Sequence, residues 1–240
     1  MKVMHFVSGI KSGGVEQFLF NYTKRMNKEF DMEEYIIYQH DPNPQSLAKL
    51  EEAGNECIQI SSKTKRPLKN LIETYKLIRR IKPDIVHAHM NLLNFFPLFM
   101  AFIQRTPVRI SHSHIASDNI SMGFLIPLFK KFNKLFSNTL FSCGEMAGKY
   151  MYAQSDFYII ENAIDTEKYV YSSSSRKKLR EKFGIDSETV VFGNIGRMTK
   201  QKNQLQLIDF FLNFQKEKKN AQLFILGDGE LKKMLQIKID

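Results

Sequence analysis

The chain has 240 residues, with 35 lysines and arginines against 25 acidic residues, a net charge of +10 and 43% hydrophobic content. That is enough apolar material for one large domain or one and a half ordinary ones, and the excess of cations points to an anionic partner. No arginine-rich tail is present, so no nucleic acid is expected. Two cysteines, Cys57 and Cys143, are too few for a disulfide framework and fit a reducing, cytoplasmic setting.

Taken in order, residues 2–7 read as a buried strand containing His5, and residues 8–14 as a glycine-containing loop. Residues 15–27 form a helix with Val15, Phe18, Leu19, Tyr22 and Met26 on one face. Strand, glycine loop and helix open a βαβ unit. Residues 34–39 are a second strand, 47–53 a short helix stopped by Gly54, and 56–60 a third strand. Residues 63–82 are markedly basic and helical, ended by Pro83. Residues 84–89 are a strand, 92–105 a largely buried helix, and 108–112 the next strand. Residues 139–143 form a strand, 145–153 a helix and 157–160 a strand. The alternation predicts a mostly parallel sheet.

Residues 122–138 are strongly amphipathic. Leu125, Leu128, Phe129, Phe132, Leu135 and Phe136 fall on one stripe, Lys130, Lys131 and Lys134 lie off it, and the segment has no acidic residue. Such a helix suits either a core with one wet side or the surface of an anionic membrane. The longest apolar stretch, residues 92–103, is too short to span a bilayer, and the N-terminus lacks the pattern of a signal peptide. The serine run 171–175 reads as a linker, followed by a helix at 176–183 stopped by Gly184. The expected division is 1–170, a linker and short helix at 171–188, and 189–240.

In the last segment a strand from Thr189 breaks at Gly196 and is followed by Arg197, Lys200 and Lys202, then Asn203 and an amphipathic helix at 204–218. A second strand at 221–226 leads into Gly227-Asp228-Gly229 and a helix running to Asp240. Ligands bind at the carboxyl ends of strands in open α/β sheets, and helix N-termini favour anions. Arg197 and Lys202 therefore suit a diphosphate.

Gly196-Arg197-x-x-x-Gln201-Lys202-Asn203 resembles the start of the donor-binding domain of the retaining glycosyltransferase family four. Four further motifs resemble that family in the same order: Ser12-Gly13-Gly14-Val15-Glu16, the strand ending in His87-Ala88-His89 with its partner ending in His112-Ser113-His114, Glu161-Asn162-Ala163-Ile164-Asp165, and Gly227-Asp228-Gly229-Glu230-Leu231. The resemblance implies an α/β, Rossmann-like parallel-sheet N-terminal domain of GT-B type, followed by a partial second Rossmann-like domain. It implies a hexosyltransferase that uses a nucleotide diphosphate sugar as donor substrate, with no cofactor and no metal. The acceptor would be a saccharide or a lipid-linked saccharide, as in capsule or exopolysaccharide assembly, with peripheral contact at the inner face of an anionic membrane.

Carried over residue by residue, the resemblance makes Arg197 and Lys202 stabilisers of the departing diphosphate. His112 or His114 lies beside the reacting sugar. Gly13, Gly14, Glu16, His89, Asn203, Gly227 and Gly229 become binding residues. Ala163 departs from the family's glycine. The family's second domain continues for well over a hundred residues and carries a pair of glutamates with seven residues between them, so a truncated chain is expected. A non-catalytic remnant and a nucleotide-sugar epimerase of the same fold are the alternatives.

Overall fold

The computed structural model describes residues 1–11, 13–116 and 123–239. Ser12 of the glycine loop, Met122 at the start of the amphipathic segment and Asp240 at the end of the last helix lie outside the described residues. The chain forms two compact units, Met1–Thr166 and Glu167–Asp240.

The first unit alternates β1 (Lys2–Phe6), α1 (Gly14–Glu29), β2 (Glu33–Tyr38), α2 (Pro44–Glu52), β3 (Asn55–Gln59), α3 (Pro67–Ile81), β4 (Ile85–Ala88), α4 (Phe95–Ile103), β5 (Val108–Ser113), α5 (Ile126–Phe136), β6 (Thr139–Ser142), α6 (Glu145–Tyr152) and β7 (Tyr158–Ile159). All strands pair in parallel, in the order β3-β2-β1-β4-β5-β6-β7. The order reverses between β1 and β4. In doubly wound sheets the crevice that takes ligands opens at that reversal, outside the strands' carboxyl ends.

Alternation along the strands divides the core into two layers. Met4, Phe6, Ile37, Val86 and Ala88 face α3 and α4, packing on Ile78, Ile81, Leu98 and Ala101. Val7, Ile36 and Tyr38 face α1 and α2, packing on Phe18, Leu19 and Leu50. Each fully buried aliphatic or aromatic side chain contributes roughly 1.5–3 kcal/mol. On the α1 side, histidines occupy positions where apolar residues would ordinarily continue this layer.

Several sequence expectations shift. The second helix starts earlier than read, because Asn43 caps it through Ser46 N and Pro44 supplies its first residue. The basic helix starts only at Pro67, and Lys63 is not a solvated helix cation but a buried loop residue, 8% exposed. The helix read at 92–105 begins as a 3-10 turn, and Phe99, Phe102 and Ile103 on its outer side are exposed. The stripe on α5 divides. Phe129, Phe132 and Phe136 stack with Phe95 and Phe99 of α4, while Leu128 and Leu135 face outward.

The second unit contains α7 (Ser173–Phe183), β8 (Val190–Ile195), α8 (Gln204–Glu217), β9 (Ala221–Leu226) and α9 (Lys232–Ile239). The serine run is helical from Ser173. Ser172 Oγ accepts from Ser175 N, which makes a residue read as linker the cap of α7. Gly184 ends that helix in the left-handed region, φ 63°. β8 and β9 pair in parallel around a small core of Met198, Ile208, Leu231 and Leu235.

Candidate functional site

The sheet reversal gathers five of the six histidines. His5 on β1 lies beside His87 on β4 in the parallel register, and His89 stands one residue past the end of β4. His112 lies near the end of β5 and His114 just beyond it. Spacing of two keeps each pair on one face of the sheet.

The rings form two hydrogen-bonded lines. In the first, Glu34 Oε2 on β2 meets His5 Nε2 at 3.2 Å, His5 Nδ1 meets His89 Nε2 at 3.2 Å, and His89 Nδ1 meets His114 Nε2 at 2.9 Å. In the second, His87 Nε2 meets His112 Nδ1 at 3.1 Å. His112 is fully buried, and its Nε2 has no partner among the described residues. His114 is only partly buried, so of the two histidines of β5 it is the one open to a ligand.

Burial and then neighbouring rings hold His87 and His89 well below the ordinary imidazole value. The same causes push His112 down to about 2, and burial pushes His114 to about 4. His87, His89, His112 and His114 are therefore neutral at physiological pH. Two triads, His5–His87–His89 and His89–His112–His114, each bring one nitrogen per ring within 4.8 Å. His112 and His114 stack with centroids 4.0 Å apart and planes 24° apart.

Asparagines after β4 fix the ends of this array. Asn91 Oδ1 accepts from His114 N at 2.8 Å, and Asn94 Nδ2 donates to Ser111 Oγ and His112 O. Phe18 of α1 lies against the array from above, 5.1 Å from the His112 ring and 5.6 Å from His114, both edge-on. The first turn of α1 is thereby tied to the histidines. Gly13 is its N-cap, and the N–H groups of Gly14, Val15 and Glu16 have no acceptor within the helix. Glu16 Oε1 turns back to accept from Lys11 N at 2.8 Å. A side chain at Gly13 would stand 2.6 Å from Glu16 Oε2, so the carboxylate lies directly against the glycine turn.

In the second unit, the loops leaving β8 and β9 are bound backbone to backbone. Gly196 N donates to Leu226 O, Met198 N to Asp228 O and Leu231 N to Met198 O. Gly227 and Gly229 sit at φ 154° and 158°, and an added Cβ would meet Gly196 O at 2.0 Å and Met198 O at 2.5 Å. Only glycine allows that approach. Arg197 and Lys202 are exposed at this edge, and neither forms an ion pair among the described residues. The Lys202 stem lies 3.8 Å from the Cβ position of Gly196. Asn203, at φ 52°, turns the chain into α8. Arg197, Lys202, Asn203, Gly227 and Gly229 thus share the carboxyl edge of this unit's strands.

Sequence reasoning found His89, His112 and His114, named His87 only as part of a motif, and gave His5, Glu34 and Phe18 no part in a site. The signal for His5 was its place near the end of β1, matching that of His87 on β4. Strand order was needed to use it.

A family model described as Glycosyltransferase Family 4 matches residues 12–168, and one described as Glycosyl transferases group 1 matches residues 175–240. EpsF of Bacillus subtilis (strain 168), named as a glycosyltransferase, is 25% identical over 240 residues, covering 96% of this chain and 62% of its own length. The Escherichia coli UDP-Gal:alpha-D-GlcNAc-diphosphoundecaprenol alpha-1,3-galactosyltransferase is 26% identical over 178 residues, covering 69% of this chain and 46% of its own. The chain therefore spans less than two thirds of these relatives. Among solved structures, Anabaena Alr3699/HepE in complex with UDP and glucose superposes with a TM-score of 0.78 at 17% identity, over all of this chain and 64% of that one. The α/β, Rossmann-like architecture of GT-B type is common to both. With most of its length matched by the first model, the chain belongs to Glycosyltransferase Family 4.

Proposed function

We propose that this chain moves a hexose from a nucleotide diphosphate sugar to a saccharide or lipid-linked acceptor, with retained anomeric configuration, in capsular or exopolysaccharide synthesis. The observation that carries this is the carboxyl edge of the second unit. There, two glycines at φ near 155° let two loops lie against each other, beside exposed Arg197 and Lys202, which form no ion pair among the described residues. Cations held at a strand edge stabilise a leaving diphosphate as its charge develops. The E. coli relative, named for a UDP-Gal donor and a diphosphoundecaprenol-linked acceptor, and the HepE complex with UDP support a nucleotide donor, and the relative also supports a lipid-linked acceptor.

In the first unit, His114 offers a neutral imidazole, and the first N–H groups of the α1 turn have no partner among the described residues. The Glu16 carboxylate against that turn repels a phosphate, which favours an acceptor hydroxyl there. Membrane contact belongs to the same proposal. Phe124, Leu128 and Leu135 are exposed in and beside α5, Phe99 and Phe102 on neighbouring α4, and Lys131 and Lys134 flank them. Among the described residues, no helix is long and apolar enough to cross a membrane.

The test is incubation of the purified chain with nucleotide sugars and lipid-linked saccharides, reading nucleoside diphosphate release and the anomeric configuration of the product. Arg197→Ala and Lys202→Ala are each expected to lower turnover about a hundredfold. Absence of transfer and hydrolysis in a folded chain would overturn the reading.

A further inference from the structure

A neutral imidazole has one N–H and one lone pair, so in a line of such rings the direction of one link fixes all the others. The line running from β2 to the end of β5 begins at a carboxylate, which only accepts. Glu34 is buried, 2% exposed, and its other oxygen has no partner among the described residues. With one proton on each ring, His5 carries its own on Nε2 and donates to Glu34 Oε2. Its Nδ1 accepts from His89 Nε2–H, and His89 Nδ1 accepts from His114 Nε2–H. Every contact in the line is used once, with no conflict. What is left at the open end is the lone pair on His114 Nδ1, for which no hydrogen bond is made among the described residues.

We propose that Glu34 and His5 are positioning residues that, through His89, lock His114 as its Nε2–H tautomer, so that its Nδ1 receives a hydroxyl of the sugar substrate and not an oxyanion. The site is thus polarised from a carboxylate three rings away. Hydrogen bonds in such a line strengthen one another, and a neutral acceptor at its end selects hydrogen-bond donors. Asn91, holding the backbone N–H of His114, fixes the ring's place while Glu34 fixes its proton. The tautomer pattern stands on its own; its use in sugar transfer rests on the function proposed above.

The direct test is the long-range proton–nitrogen NMR spectrum of the imidazoles in the uniformly nitrogen-15-labelled chain, assigned with single histidine-to-glutamine variants. His5, His89 and His114 are expected to show protonated Nε2 and bare Nδ1. A His114 that carries its proton on Nδ1 overturns the proposal, and this measurement needs neither a variant at Glu34 nor any activity. In Glu34→Gln the amide can donate as well as accept, which frees the line to reverse. His114 is then expected to populate the Nδ1–H form, and rings unchanged in this folded variant would overturn the proposal. In sugar-transfer assays E34Q should lower kcat/KM about tenfold; an unchanged value alongside a reversed His114 would overturn the hydroxyl assignment. A chain that transfers no sugar yet shows the Nε2–H pattern keeps the relay and refutes only the function.

Discussion

Lys63 shows what one buried charge does to this fold. Its ammonium lies in the loop after β3 with Met90 Sδ at 3.0 Å, and its backbone N–H is held by Gln39 Oε1 at 3.1 Å. Thioether sulfur is a weak acceptor, and no carboxylate pairs with the lysine among the described residues. Burial pushes its pKa down to about 8 from 10.5. Because the folded value lies below the unfolded one, the unfolded chain binds the extra proton between those limits. The cost is complete at pH 7 and fades as pH rises from about 8 to 10.5. Lys63→Met fills the same space without charge and should raise stability at pH 7 by roughly 3 kcal/mol, with the gain shrinking toward pH 10. Urea midpoints of both proteins across that range check it; a destabilised variant at pH 7 would mean that the ammonium has a compensating partner.

At the scale of elements, α5 divides one periodicity between a packed face and an exposed one. Its inner aromatics lock it to α4, so the helix is held whether or not a membrane is present. On its outer side Leu128, Lys131, Lys134 and Leu135 are exposed, and these are the residues the proposed membrane contact would use. Each lysine near an anionic bilayer contributes about 1 kcal/mol, so Lys131→Glu with Lys134→Glu should reduce flotation with anionic vesicles at least twentyfold in partition at low salt. Wild-type protein that fails to float with such vesicles would remove the membrane contact from the proposal. The amphipathic period was legible in the sequence because it is local. The division of the stripe was not, since it depends on where α4 stands. The same applies to the exposed outer side of α4, whose run of apolar residues has no polar phase to reveal a wet face. The early start of α2 was legible in principle, from Asn43 and Pro44 as cap and first residue.

At the scale of the whole molecule, the parallel α/β alternation could be read directly, because strand and helix periods differ, and so could the glycine-bounded loops of the second unit. The histidine array could be read only in part. His89, His112 and His114 stand at the ends of strands that the sequence delimits, whereas His5 and Glu34 enter through the neighbour order β2-β1-β4, which no local pattern encodes. That order has a consequence for the protein as a material. All six histidines lie in the first unit, and four of them, His87, His89, His112 and His114, are held below the ordinary value of 6.5 by burial. Their folded values are depressed, so as pH falls through 6.5 the unfolded chain takes up protons that the folded unit refuses, down to about 4 for His114. Stability must therefore fall with pH in that window, by about 1.4 kcal/mol per pH unit for each histidine involved. Four together would reach roughly 5–6 kcal/mol per pH unit, comparable to the whole stability of a small domain. The first unit should unfold between pH 6 and 4.5 while the second, which has no histidine, holds. Urea titrations at pH 7.5, 6 and 5 should show one transition moving sharply to lower urea and the other nearly fixed. A first-unit transition that stays in place from pH 7.5 to 5 would mean that the array is already charged when folded, and the neutral relay would fall with it.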